Sequence, residues 1–233
     1  HLQRGRSKTF ASIALPGALP AAGEIGPILR AALARADDTM PGGYRRVVLA
    51  HRDNEAVRSY VNGEDLGRYA QVGVVTPDHA IRTKGLPLVL DAPKGGDLTG
   101  FAAQAVAATA RYTAAYSAYF DRHKRPGLVM LDPLPRVILV PGVGLFAADR
   151  TAQAADIVAD IAESAMAVIA AAENLGRFES ITEADLFNIE YWSLEQAKLG
   201  RNTDAPLAGH VVAVTGGAGE IGAATAAAFA GEG

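Results

Sequence analysis

No cysteine occurs anywhere in the 233 residues. Disulfides are thereby excluded, no thiolate is on hand as metal ligand or nucleophile, and a cytoplasmic setting is expected. Nor does any apolar run approach the ~20 residues that a bilayer span requires. The longest candidate, Ile157 to Ala172, is interrupted by Asp160, Glu163 and Ser164, so no membrane partner is expected. Charge of one sign is equally scarce: 22 Lys and Arg stand against 25 Asp and Glu, a net charge of −3. That balance gives no reason to expect a nucleic-acid partner. The one basic cluster near an end, Arg4, Arg6 and Lys8, reads as a solvated segment. The chain begins with His1, carries no signal-peptide pattern and stops just inside a helix-forming run, which suggests a piece of a longer protein.

What is present is apolar. Hydrophobic residues make up 49% of the chain, enough for one large core or two small ones. Ile25, Ile28, Leu29 and Leu33 recur at helical spacing within 24–36, and "DDTMPGG" ends that helix. The β-branched content of 44–51 predicts a strand, with 55–61 as a possible partner and "NGED" as the turn after it. Further strands are expected at 73–76, 86–91 and 136–140. Residues 98–124 form a long helix with Phe101, Ala105, Ala108, Tyr112, Tyr116 and Phe120 on one stripe. A second long helix is expected over 151–174, with Ile157, Ile161, Ala165, Val168 and Ala172 facing inward. A third runs over 182–200, with Thr182 as N-cap. Polar, turn-rich residues at 201–209 then mark a boundary.

After that boundary the sequence reads "HVVAVTGGAGEIGAATAAAFAGEG". An apolar run leads into glycines and then a helix, the arrangement of a phosphate site. Gly216 suits the tight turn, Gly222 allows close packing of helix on strand, and the helix N-terminus presents unpaired N–H groups to an anion. The stretch resembles the opening βα unit of the short-chain dehydrogenase/reductase family. Thr215, Gly216 and Gly222 match its T-G-x-x-x-G-x-G fingerprint, while Glu220 stands where the middle glycine belongs. The spacing Gly216, Gly219, Gly222 is that of the family's extended branch. This resemblance implies NAD or NADP bound by Thr215, Gly216, Gly217, Gly219, Ile221 and Gly222. No Tyr-x-x-x-Lys pair, the family's proton-transfer device, occurs in the chain. A lone βα unit also lacks the neighbours that bury a parallel strand.

The second stretch with chemistry is "TPDHAIRTK" at 76–84. Pro77 stiffens a turn that presents His79, flanked by Asp78, Arg82 and Lys84. A metal site needs three or four ligands, and His1, His51, His123 and His210 show no ligand spacing. Arg82 and Lys84 read either as surface charges in salt bridges or as contacts to an anionic substrate. Taken with "DPLPRVILVPGVGLF", "FNIEYWSLEQAKL" and "PLAGHVVAVTGG", the stretch resembles the bifunctional class II aldolase/short-chain dehydrogenases, the rhamnulose-1-phosphate aldolase/alcohol dehydrogenase type.

That resemblance implies an α/β fold in three parts. Residues 1–148 would be the C-terminal part of a class II aldolase α/β/α domain with a mainly antiparallel sheet. Residues 149–204 would be a helical connector, in which Glu190, Tyr191 and Trp192 pack against the aldolase body. Residues 205–233 would be the first βα unit of a Rossmann domain. It further implies zinc or another divalent metal held by three histidines, with His79 the candidate among them, and a glutamate acid/base that cannot be placed in this chain. The implied substrates are a sugar phosphate and an aldehyde, and the implied assembly is a homo-oligomer. Two other readings remain open: a dehydrogenase carrying a non-catalytic aldolase-like domain, and an aldolase-like assembly domain such as the head of the cytoskeletal protein adducin.

Overall fold

The computed structural model of the protein describes residues 10–194 and 205–232. Helix α1 (Ala22–Ala32) is followed by a two-stranded ribbon, β1 (Arg35–Ala36) with β2 (Tyr44–Arg45). Strand β3 (Val48–Arg52) leads into three short helices, α2 (Glu55–Val61), α3 (Leu66–Tyr69) and α4 (Pro77–Thr83), and then β4 (Leu88–Val89). The long helix α5 (Leu98–His123) precedes the hairpin β5 (Val137–Val140) and β6 (Gly144–Asp149). Helices α6 (Ala152–Leu175), α7 (Glu183–Glu190) and α8 (Glu220–Gly231) complete the order.

The main sheet has the order β3-β6-β5-β4. Strand β6 is antiparallel to both β3 and β5, and β4 joins the far edge parallel to β5. Because side chains alternate along a strand, the sheet builds two cores. Ile138, Val140, Phe146 and Ala148 face α1 and α5; Val137, Leu139, Leu145 and Ala147 face α2, α3 and α6. All four residues of β5 are buried, as expected of a strand covered on both faces. The result is an α/β domain with helices on both sides of a mostly antiparallel sheet, in keeping with the expected class.

Several local expectations are corrected. Residues 55–61 form a helix rather than a strand. The Asn54 side chain accepts a hydrogen bond from the Val57 backbone N–H at 3.1 Å, and Val57, Tyr60 and Val61 bury one helical face. No strand forms at 73–76, the expected strand at 86–91 shortens to Leu88–Val89, and 44–51 divides between β2 and β3. Helix α7 ends at Glu190, and the rest of the expected 182–200 helix falls partly outside the described residues. Strand β6 has no counterpart among the expected strands.

Helix α6 begins where expected, with Thr151 as its N-cap residue and Thr151 Oγ1 accepting from Ala154 N, but buries a different face. Ala155, Val158, Ala159, Ala162, Met166 and Ile169 point inward, while Ile157 and Val168 are exposed. In so alanine-rich a helix the apolar periodicity is shallow, and the sheet takes the side whose small residues allow close approach. Helix α6 lies along the sheet itself, against β3 and β6. Among the described residues no helix is long and apolar enough to cross a membrane.

Candidate functional site

The "TPDH" stretch is the first turn of α4. Thr76 is its N-cap residue in extended conformation, Pro77 occupies the first helical position, and the Asp78 carboxylate sits where the helix dipole favours negative charge. His79 is buried, not presented by a surface turn. Its Nε2 lies 3.1 Å from the Ile161 carbonyl oxygen in α6, and its Nδ1 lies 2.7 Å from Thr76 Oγ1. A carbonyl can only accept, so Nε2 carries the hydrogen and Nδ1 accepts from the threonine hydroxyl. Burial lowers the imidazole pKa below its usual value, opposed by the Ile161 bond and the Asp78 charge. The ring is therefore neutral at pH 7, and its lone pair is in use.

A divalent metal held by three histidines does not fit this setting. Coordination by His79 would first have to break the Thr76 bond, and among the described residues no group of three His, Asp or Glu side chains is placed to hold a metal ion. What His79 does is join α4 to α6.

Lys84, at the end of α4, is neither exposed nor part of a surface ion pair. It is 5% exposed and is the one non-glycine with positive φ among the described residues, at φ 67°. Its Nζ donates to Tyr116 Oη at 3.0 Å, approaches Glu190 Oε1 at 3.3 Å and lies 4.1 Å from the centre of the Tyr116 ring. Tyr116 donates to Glu190 Oε1 at 2.7 Å. Its only proton being used there, Tyr116 accepts from Tyr191 Oη at 2.9 Å, which in turn accepts from Leu131 N at 3.3 Å. Burial pushes the Lys84 pKa down against the pull of Glu190. Burial, and then the Glu190 charge, push the Tyr116 hydroxyl far up.

This cluster ties α4, α5 and α7 together, and its Tyr116 also lines a cleft of about 590 Å³ with Leu86, Pro87, Tyr112, Tyr119 and Arg111. Sequence reasoning missed it by placing Tyr112 and Tyr116 on an apolar stripe and by reading Lys84 either as a surface charge or as a contact to an anionic substrate. The available signal was three tyrosines, 112, 116 and 119, on adjoining turns of one helix. Glu190 and Tyr191 do pack α7 against the body, but Trp192 is 52% exposed.

The glycine turn lies apart from this cluster. Residues 211–214 form no strand, and Val211 and Val212 are exposed. Gly216 adopts φ +71°, Gly219 is the N-cap residue of α8, and Gly219 N donates to the Gly216 carbonyl at 3.0 Å. A Cβ on Gly222 would come within 2.2 Å of the Gly216 oxygen, so only glycine fits there. Thr215, Gly217 and Ile221 are exposed, and α8 buries no residue. The unit is held at its base, where Arg30 Nη2 donates to the Gly209 carbonyl at 2.9 Å and Ala208 is buried.

Comparison with known proteins agrees with this architecture. The family model for the second domain of class II aldolases matches residues 20–199. A Bacillus subtilis (strain 168) protein named "Uncharacterized oxidoreductase YuxG" is 33% identical over 191 residues, which is 81% of this chain and 28% of the relative. The chain thus spans little more than a quarter of that relative's length. No solved structure matches. The matched span takes in both cores of the sheet, the tyrosine-lined cleft and α7, and on that basis the chain belongs to the family of class II aldolase second domains.

Proposed function

We propose that this chain is the aldolase-like second domain, and the opening of the nucleotide-binding unit, of a bifunctional enzyme. That enzyme would pair metal-dependent cleavage of a ketose 1-phosphate with NAD(P)-dependent oxidoreduction of the aldehyde. The observation that carries the reading is the turn itself: a positive φ at Gly216 and a Gly222 pressed on the Gly216 carbonyl, directly after a family domain shared with an oxidoreductase-named relative.

The residues present suit a dinucleotide phosphate. Side-chain-free backbone at Gly216, Gly217 and Gly219 lets an anion approach, and the first N–H groups of α8 are without helical acceptors. Glu220 is exposed at that end, and the cradle works only with its carboxylate turned to solvent. A bound nicotinamide would supply hydride transfer; the part of this chain is to hold the phosphates and fix the turn. The metal and the carbon–carbon bond cleavage belong, in this reading, to residues other than those described here.

Titrating the longer protein with NADH and with NADPH, followed by fluorescence, tests this. Gly222→Val is expected to abolish nucleotide binding and leave the thermal midpoint of the aldolase-like domain in place. Undiminished binding in that variant would remove the assignment.

A second reading, a dehydrogenase with a non-catalytic aldolase-like domain, is favoured by one observation. The imidazole nearest to a metal role spends both nitrogens inside the fold. Metal analysis of the longer protein, together with an aldol-cleavage assay, separates the two readings. Stoichiometric zinc with cleavage supports the first, and nucleotide turnover without either supports the second.

A further inference from the structure

Beside the base of the glycine unit lies an open pocket of about 460 Å³, lined by Arg30, Gly42, Arg46, His210 and Val211. Both arginines are half-buried, none of the five lining residues is acidic, and among the described residues neither arginine forms an ion pair. Arg30 is held rigidly, donating through Nε to the Val47 carbonyl at 2.8 Å and through Nη2 to the Gly209 carbonyl at 2.9 Å. Those acceptors fix the guanidinium without neutralising it. Arg46 rests on the Tyr44 ring, 5.4 Å from its centre. Burial, and then the nearby Arg46 charge, lower the Arg30 pKa from its ordinary value. His210 donates from Nδ1 to the Leu207 carbonyl at 3.1 Å, which holds the ring at the pocket wall.

Two guanidiniums facing one concavity repel each other, and several arginines elsewhere in this fold are answered by carboxylates. Arg68 meets Glu173, Arg122 meets Glu183 and Arg136 meets Asp132. We propose that the Arg30–Arg46 pocket binds a phosphomonoester dianion. Its charge matches two guanidiniums, and its oxygens suit their forked donors. The pocket is distinct from the glycine turn and does not depend on what that turn binds.

Isothermal titration of the whole chain with inorganic phosphate, at pH 7 and constant ionic strength, tests this. Saturable binding is expected, with no response to acetate at the same concentrations. Arg46→Ala, which removes no backbone support, is expected to weaken phosphate about tenfold, and Arg46→Lys by less because the charge stays and the fork goes. AMP as probe, titrated into Gly222→Val so that the glycine turn does not contribute, distinguishes the sources. Tighter binding than phosphate assigns the pocket to a nucleotide's phosphate, and equal binding assigns it to phosphomonoesters generally. Gly222→Val is expected to leave phosphate affinity unchanged. Absence of saturable binding, the same affinity in Arg46→Ala, or loss in Gly222→Val without loss in Arg46→Ala would each overturn the proposal.

Discussion

The α6 helix and the α8 helix are built from nearly the same residues and have opposite fates. Both are alanine-rich and carry few charges. Helix α6 lies on the sheet and buries six residues, whereas α8 buries none. Composition therefore does not decide burial; a waiting surface does. The sheet offers α6 Val137, Leu139, Leu145 and Ala147. The run at 211–214 pairs with no strand among those described and offers α8 nothing comparable. In most proteins helical stability comes from tertiary packing more than from propensity, and α8 shows what propensity and a glycine turn leave when packing is absent.

The contrast can be broken by mutation, and the largest effect belongs to the sheet. Phe146→Ala empties a site 2% exposed between β5, α1 and α5, and a loss of about 3–5 kcal/mol in chemical denaturation is expected. A loss below about 1 kcal/mol would mean that the two-core arrangement is wrong. Next comes Glu190→Leu, which strands the Lys84 ammonium in a site closed to water. Breaking such a pair from one side costs about 3 kcal/mol or more, and pairing it with Lys84→Met is expected to recover much of the loss. A double variant as unstable as the single one would show that the charge pair is not the source.

His79→Ala removes the hydrogen bond from α4 to the Ile161 carbonyl of α6 and the one to Thr76 at the start of α4, for about 1–3 kcal/mol. Its signature is a lower thermal midpoint that added zinc does not restore. Restoration by zinc in the wild type and not in the variant would return His79 to a metal role.

A smaller effect is expected at the α5–α7 contact, where bonds from Arg122 and then His123 hold Glu183 at a pKa of about 2. The folded value is depressed, so this stabilisation is complete above the ordinary carboxylate pKa near 4.5 and drains away as the pH falls towards about 2. Half-exposed partners limit it to no more than about 1 kcal/mol. Glu183→Gln should flatten the acid limb of the stability curve only in that window. The smallest effect lies in the other half of the comparison: Ile221→Ser, at a site 86% exposed, should change stability by less than about 0.5 kcal/mol. A loss above 2 kcal/mol would mean that α8 has a partner surface.

Legibility in the sequence followed length and contrast. The limits of α5, the Thr182 cap and strand β5 could be read directly, because long periodic runs and capping hydroxyls act locally. Helices α2 and α4 could not: a run of seven residues with β-branched members suits either element, and the Asn54 and Thr76 caps were the overlooked signal. Lys84 was misplaced because nothing in its neighbours announces that a glutamate 106 residues later will meet it.

Local chemistry alone thus specified where the chain could turn, cap and coil, the tight glycine turn at Gly216–Gly222 included, since such preferences depend on a residue and its near neighbours. Which face of α6 went inward, that His79 would be spent on a backbone carbonyl, and that Lys84 would find Tyr116 and Glu190 were left to the assembled fold. Burial and charge pairing are properties of surfaces brought together from distant parts of the chain, and no local pattern contains them.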